Sequence, residues 1–226
     1  MGQAIGDMLP AAIGVAISPM PIVAVVLMLI SSRGRTNGLA FLVGWWAGIA
    51  IVGTVVLLLA DTFGTAAEKG QPAIWVGVLQ LILGLLLFFV AFRQWRGRPR
   101  EGGEAKQPRW MHALDRFGPG KSLGAGALFS AGNPKNLLLI IAGAAAIAQA
   151  DISGGGQAIA LVVFMVIASV GVGAPVVLYL VMGDSARERL DSLRGWMARN
   201  NATMMAVLLL VLGFKLLGNG ISTLAT

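Results

Sequence analysis

The chain has 226 residues, of which 57% are hydrophobic and 12% are charged, and its mean hydropathy is +0.80. Because a soluble domain carries about 25% charged residues, this composition excludes a cytosolic enzyme and indicates a membrane protein that crosses the bilayer several times. The absence of cysteine and the single histidine, His112, exclude disulfides and metal centres built from thiolates or histidines, while a net charge of +7 in a membrane protein indicates the cytoplasmic side rather than a nucleic acid partner.

Six apolar stretches are long enough to cross the hydrocarbon core as helices, which takes about 20 residues each. None of them contains Asp or Glu. The first lacks the basic segment that precedes a cleaved signal peptide, so we expect it to be retained. We predict an all-α integral membrane protein with six spans, numbered 1 to 6 in chain order, over residues 8–30, 38–60, 72–92, 122–148, 158–182 and 202–224.

Lysine and arginine mark one side of the membrane. Of the 17 basic residues, 14 lie in the loops that follow spans 1, 3 and 5. These loops are predicted to face the cytoplasm, with both termini outside. The longest, residues 96–121, has the Pro, Gly and charged composition of a flexible linker and separates two halves of three spans each, 1–95 and 122–226. Because three is an odd number, related halves would insert in opposite orientations, as two inverted three-helix repeats.

Spans 1 and 4 are each interrupted near mid-depth. Span 1 contains Ser18-Pro19-Met20-Pro21, and span 4 contains Asn133-Pro134-Lys135-Asn136. Proline removes a backbone donor and frees carbonyls that cannot face lipid, so polar groups must meet them. Proline alone also kinks membrane helices, but paired interruptions in two halves are typical of the central site of a transporter. We therefore predict that both helices are broken at these motifs, with a substrate site between them.

Two lysines lie within predicted spans, Lys135 in span 4 and Lys215 in span 6. No acidic residue lies in any span, so each lysine must be neutral, reach water or pair with a charge on a ligand. Lys215 also lies near Gly218 and Gly220, which would suit a helix end close to water. An anionic substrate would satisfy both lysines. The predicted substrate-binding residues are Ser18, Pro19, Pro21, Asn133, Pro134, Lys135, Asn136 and Lys215.

Weaker patterns occur in span 5 and in the loop after it. Gly171, Gly173 and Pro175 favour either a gating hinge or close helix packing. Residues 184–200 place apolar side chains at helical spacing with arginines between them, which is typical of a helix lying in the membrane surface. These arginines either only hold the loop in the cytoplasm or contact anionic lipid headgroups; they are Arg187, Arg189, Arg194 and Arg199.

The motifs in spans 1 and 4 resemble those of a known family. The runs AISPMPIVAVVLMLISSRGRTNGLAFLVGWWAG and GALFSAGNPKNLLLIIAGAAAIA are similar to the glycopeptidolipid- and sulfolipid-addressing (GAP) proteins of actinobacteria, within the lysine-exporter (LysE) superfamily. The resemblance implies six spans in two inverted repeats and a role in moving lipid-linked molecules of the cell envelope across the inner membrane. It also implies a site role for Ser18, Pro19, Pro21, Asn133, Pro134, Lys135 and Asn136.

The residues favour a transporter that moves an anionic, phosphate- or sulfate-bearing lipid by alternating access. The alternatives are a LysE-like exporter of a small metabolite or amino acid, and a scaffold that recruits anionic lipid or a lipid synthase without transport. We expect no enzyme, because no span offers a nucleophile with a base, a carboxylate pair or metal ligands, and no cofactor or metal. The expected partners are membrane lipids and the anionic lipid-like substrate, with a second copy of the chain in a homodimer and a lipid-synthesis enzyme at the cytoplasmic face as further candidates, and no nucleic acid.

Overall fold

A computed structural model of the chain describes residues 1–64, 74–97, 117–150 and 152–225. Helix accounts for 92% of this structure and none of the described residues lies in a strand, which confirms the predicted all-α class. Most of the predicted linker, residues 98–116, lies outside the described residues. In chain order the elements are α1 (Gly2–Ala16), α2 (Pro19–Ile30), α3 (Gly34–Gly64), α4 (Ile74–Arg96), α5 (Pro119–Ala127), a π-helical segment (Leu128–Gly132), α6 (Pro134–Gln149), α7 (Gly154–Ala168), α8 (Val170–Met182), a 3₁₀ turn (Gly183–Ala186) and α9 (Arg187–Ala225).

Two helical stretches are long and apolar enough to cross a membrane by themselves, Gly34–Ala60 in α3 and Ala202–Ser222 in α9. Three further pairs qualify if each is counted as one bent span: α1 with α2, α5 and the π-helical segment with α6, and α7 with Val170–Met197. The described part of the chain thus has 2 to 5 candidate spans. Helix α4, on which span 3 was predicted, is not among them. Six spans and inverted repeats stay predictions.

Helix α3 is apolar on both its inner and its outer face. One of its faces is fully buried through Phe41, Trp45 and Ile49, which recur every four residues. A helix that is apolar on its inner and outer faces alike is suited to lipid rather than water. The chain is therefore a helical membrane protein. Large apolar side chains that lie 48–63% exposed on the outer face of α3 are Val43, Ile51, Val55 and Leu58.

The described residues form two compact units. The first comprises those of Met1–Thr65 and Gln107–Gly195, and the second those of Ala66–Lys106 and Trp196–Thr226. In the first unit, α3 and α5 pack with their backbones in contact, because a Cβ atom at Gly44 or Gly126 would overlap the facing main chain. Small residues permit such close approaches between membrane helices.

The second unit packs α4 against the C-terminal part of α9. The rings of Phe88 and Phe214 meet edge to face, with their centroids 4.8 Å apart, and Gly84 makes room for Leu217. The two units are groups of residues that contact one another densely. The repeats predicted over 1–95 and 122–226 are instead defined by the order and direction of the spans. The division into two three-helix repeats therefore stays a prediction.

The predicted surface helix over 184–200 is not a separate element. From Arg187 onward these residues belong to α9, which continues without a break into the stretch predicted as span 6. Leu190 and Met197, two of the apolar side chains that recur at helical spacing in this segment, are buried in protein. The apolar side chains do recur at helical spacing, but they form a face that packs against protein. Periodicity shows that one face of a helix is apolar, and it does not show whether protein or lipid headgroups contact that face.

Candidate functional site

The break in span 1 lies between α1 and α2. Helix α1 ends at Ala16, α2 begins at Pro19, and the two are bent by 52°. Pro19 and Pro21 have no backbone N–H to donate to the last turn of α1, so one helix cannot run through them. Pro19 instead occupies the first position of α2, where an N–H would have no partner within the helix. The Ser18 side chain, which is 3% exposed, lies at the junction.

The break in span 4 follows the π-helical segment. Helix α6 begins at Pro134, and the two parts of the span are bent by 66°. Asn133 caps α6, since its side chain accepts a hydrogen bond from the backbone N–H of Lys135 at 3.1 Å. π-Helical turns are rare and frequently lie at functional sites. Both breaks lie where the prolines predicted them.

Lys135 joins the two breaks. Its Nζ donates to the backbone carbonyl of Gly14 at 2.8 Å and to Ser18 Oγ at 2.8 Å. Gly14 lies in the last turn of α1, where carbonyls lack partners within the helix and carry the negative end of the helix dipole. The Lys135 ammonium group therefore caps α1 from another span.

Asn136 sets the direction of the hydrogen bonds around Ser18. Ser18 Oγ donates to Asn136 Oδ1 at 2.7 Å, so it is left to accept from Lys135 Nζ. Asn136 Nδ2 donates in turn to the carbonyl of Phe129 at 3.0 Å. In a π-helix that carbonyl would pair with residue 134, which is a proline without an N–H. Ser18, Lys135 and Asn136 thus form one network, called the Lys135 network below, that satisfies carbonyls at both breaks.

No carboxylate pairs with Lys135 within the described residues. The ion pairs in this part of the chain join Asp184 to Arg187 and Asp191 to Arg194, and neither lies at the breaks in spans 1 and 4. The two partners of the Lys135 ammonium are neutral oxygens, whereas an ammonium group has three donors and a full positive charge. The described residues therefore offer no acceptor to the third donor of Lys135 and no counter-charge to its ammonium group. An anion is the ligand that would use both.

A third break, at Ser169 in span 5, is sharper than the sequence predicted. Helix α7 and the helix that begins at Val170 are bent by 64°. Ser169 Oγ donates to the carbonyl of Met165 at 2.6 Å and accepts from Trp46 Nε1 at 2.8 Å. A serine hydroxyl bonded to the carbonyl four residues earlier often bends a helix. The signal in the sequence was this serine, whereas the prediction rested on the glycines and proline after it.

Gly171 brings the third break against the first. A Cβ atom at Gly171 would overlap the carbonyl oxygen of Ala16, at the end of α1. A Cβ atom at Gly173 would have no such neighbour within 4 Å, and Pro175 is buried within α8. Close helix packing, one of the two predicted roles of this segment, therefore applies to Gly171.

The other predicted residues are not part of the Lys135 network as the structure describes it. Lys215 lies in α9, in the second unit, and its side chain is exposed. Arg187 pairs with Asp184 at 2.9 Å and Arg194 with Asp191 at 3.2 Å, so part of their charge is compensated locally. Arg189 and Arg199 are exposed. Contact of these four arginines with lipid headgroups stays a prediction.

These features define the class: a helical membrane protein in which broken helices meet at a partly buried lysine that has no carboxylate partner among the described residues. Residues 8–222 match the family described as Sap, sulfolipid-1-addressing protein. The chain belongs to this family, which confirms the resemblance to the sulfolipid-addressing proteins and is consistent with a lipid-related function. Membership of the LysE superfamily stays a prediction. Comparison with curated proteins and with solved structures found no match.

Proposed function

We propose that the chain transports an anionic, phosphate- or sulfate-bearing lipid across the bacterial inner membrane. The observation that carries this proposal is the Lys135 ammonium group, held between two broken helices by neutral oxygens. A charge at this depth is costly unless water or a ligand compensates it. The family supports a lipid as the ligand.

In this mechanism the predicted site residues have different roles. Lys135 binds the headgroup through its third donor or by exchanging one of its neutral acceptors for an anionic oxygen. Ser18 and Asn136 position Lys135, because their hydrogen bonds fix where its ammonium group lies. Pro19, Pro21 and Pro134 create the breaks, and Asn133 caps the helix that follows. The broken helices then rearrange between inward-open and outward-open states, as in alternating access by inverted repeats of the LysE kind.

Two alternatives make different demands on the Lys135 network. An exporter of a zwitterionic amino acid needs a carboxylate for the substrate amine, and none pairs at these breaks in the described residues. A scaffold that recruits lipid or a synthase through its arginines needs no polar network between the helices. The Lys135 network therefore favours transport of an anion, and no catalytic step is proposed.

The orientation follows from the basic loops and can be tested directly. Because the chain has no cysteine, single cysteines can be placed at Thr65, Gly103 and Gly154 without background labelling. We expect a membrane-impermeant maleimide added to intact cells to label positions 65 and 154 and to miss position 103. Permeabilised cells are the control and should label all three. Labelling of 103 alone would reverse the orientation, whereas labelling of 103 together with 65 or 154 would contradict six spans in two inverted repeats.

Transport itself can be tested in proteoliposomes that carry a tail-labelled fluorescent lipid. Dithionite added outside bleaches only the fluorophores in the outer leaflet. Fluorescence from the inner leaflet is therefore lost only as labelled lipid crosses to the outer leaflet. We expect the purified protein to accelerate the loss of fluorescence from a sulfated or phosphorylated lipid. Fluorescence from a labelled phosphatidylcholine should be lost at the same rate as in vesicles without protein. Release of trapped inorganic sulfate without lipid movement would instead favour a small-metabolite exporter.

A further inference from the structure

Trp45 carries a buried hydrogen-bond donor without an acceptor. Its side chain is 0% exposed, and Nε1 has no partner within the described part of the chain. The neighbouring Trp46 shows the usual arrangement, because its Nε1 donates to Ser169 Oγ. An unsatisfied buried donor costs free energy and calls for an explanation, such as a catalytic role or an ion that binds there.

Trp45 packs beside the segment that leads into the break of span 4. Its ring is stacked on Phe41, with 6.4 Å between the centroids, and Phe41 contacts Phe129 of the π-helical segment at 6.2 Å. The carbonyl of Phe129 is the acceptor of Asn136. Trp45 is therefore linked to the Lys135 network through two successive ring contacts and the Phe129 carbonyl.

The chemistry of the indole group selects the kind of ligand. An indole N–H donates one hydrogen bond and accepts none, so it cannot bind a cation through its nitrogen. A sulfate or phosphate ester has several acceptor oxygens, of which one ammonium group satisfies only some. Hydrogen bonds from neutral donors to charged oxygens are stronger than those between neutral groups. Trp45 would thus add affinity and direction without adding a second charge to the membrane interior.

We propose that Trp45 is a further substrate-binding residue, whose indole N–H donates to an oxygen of the sulfate or phosphate group bound by Lys135. This inference rests on the proposed function, since it concerns the same headgroup. It requires the π-helical segment and the breaks to rearrange when substrate enters, because Nε1 is enclosed in the structure described here. An anionic oxygen brought beside Nε1 would then supply the acceptor that the described residues do not.

The test compares Trp45→Phe with Trp46→Phe, which lose the same N–H at neighbouring positions. The melting temperature of each purified protein in neutral detergent is measured alone and during titration with a sulfated glycolipid, its unsulfated parent and inorganic sulfate. Trp45→Phe should bind the sulfated lipid about tenfold more weakly, with unchanged affinity for the unsulfated parent. Trp46→Phe should melt lower, because its bond to Ser169 is lost, with unchanged affinity.

The outcomes separate this inference from the proposed function. If Lys135→Met loses the sulfated lipid and Trp45→Phe keeps wild-type affinity, the role of Trp45 is wrong and the proposed function stands. If neither substitution changes affinity, both are wrong. Equally weakened binding of the sulfated lipid and its unsulfated parent by Trp45→Phe would indicate a packing role and overturn the inference. A Trp45-dependent shift with inorganic sulfate as large as with lipid would support the N–H as an anion ligand and identify the free anion as its source.

Discussion

Lys135→Met should abolish binding of the anionic headgroup while the protein still folds. Methionine keeps most of the length of the side chain and removes the charge that the headgroup would pair with. A desolvated anion that loses its one charged partner should bind about 3–5 kcal/mol more weakly, or roughly a hundred- to several-thousand-fold in affinity. Titration of the purified variant with a sulfated lipid, followed by its thermal stability, measures this loss.

Two matched variants make the result specific. Lys135→Arg should keep part of the affinity, because the charge survives while a compact ammonium becomes a broad planar group. Lys215→Met removes the other lysine predicted within a span, and a comparable loss there would place Lys215 in the site as well. Lys135→Met also loses the bonds to Gly14 and Ser18, so its substrate-free melting temperature is compared with wild type. A Lys135→Met protein that is more stable than wild type and still moves lipid would contradict the anion-site proposal.

Gly171→Ala should destabilise the protein strongly for the addition of one methyl group. That methyl would overlap the carbonyl oxygen of Ala16, which belongs to the backbone at the break and cannot rotate away. Overpacking of this kind costs about 3 kcal/mol, at the upper end of the usual range because the obstacle is main chain. Unfolding of the detergent-solubilised protein in increasing denaturant measures the change.

Gly173→Ala is the matched control, since a Cβ atom there has no neighbour within 4 Å. We expect it to keep wild-type stability, or to gain a little because alanine favours helix over glycine by about 1 kcal/mol. Transport by Gly173→Ala then tests the other predicted role of this segment. Slower transport at unchanged stability would favour a hinge, whereas wild-type transport would leave the segment with packing alone. Equal stability of the two alanine variants would contradict the described contact of Gly171 with α1.

The sequence was sufficient for the features that depend on local chemistry. Pro19, Pro21 and Pro134 lack a backbone N–H and lie beside polar residues, and this combination placed two of the three breaks from the residues alone. The absence of Asp and Glu from the spans showed that Lys135 lacks a local counter-charge, and the same motifs carried the family resemblance. The break at Ser169 was underestimated because a serine bends a helix only in the rotamer that bonds to the carbonyl four residues earlier, and packing selects that rotamer.

What the sequence determined by itself is therefore an all-helical membrane chain with breaks at Ser18 and Asn133 and a lysine without a carboxylate. Only the tertiary structure decided that this lysine caps α1 at Gly14, that Ser18 and Asn136 bond to each other, and that Trp45 Nε1 has no acceptor among the described residues. These contacts join residues more than one hundred positions apart in the chain, or depend on an acceptor being absent. Hydrogen-bond partners of buried side chains are set by which helices become neighbours, and no local pattern of residues contains that information.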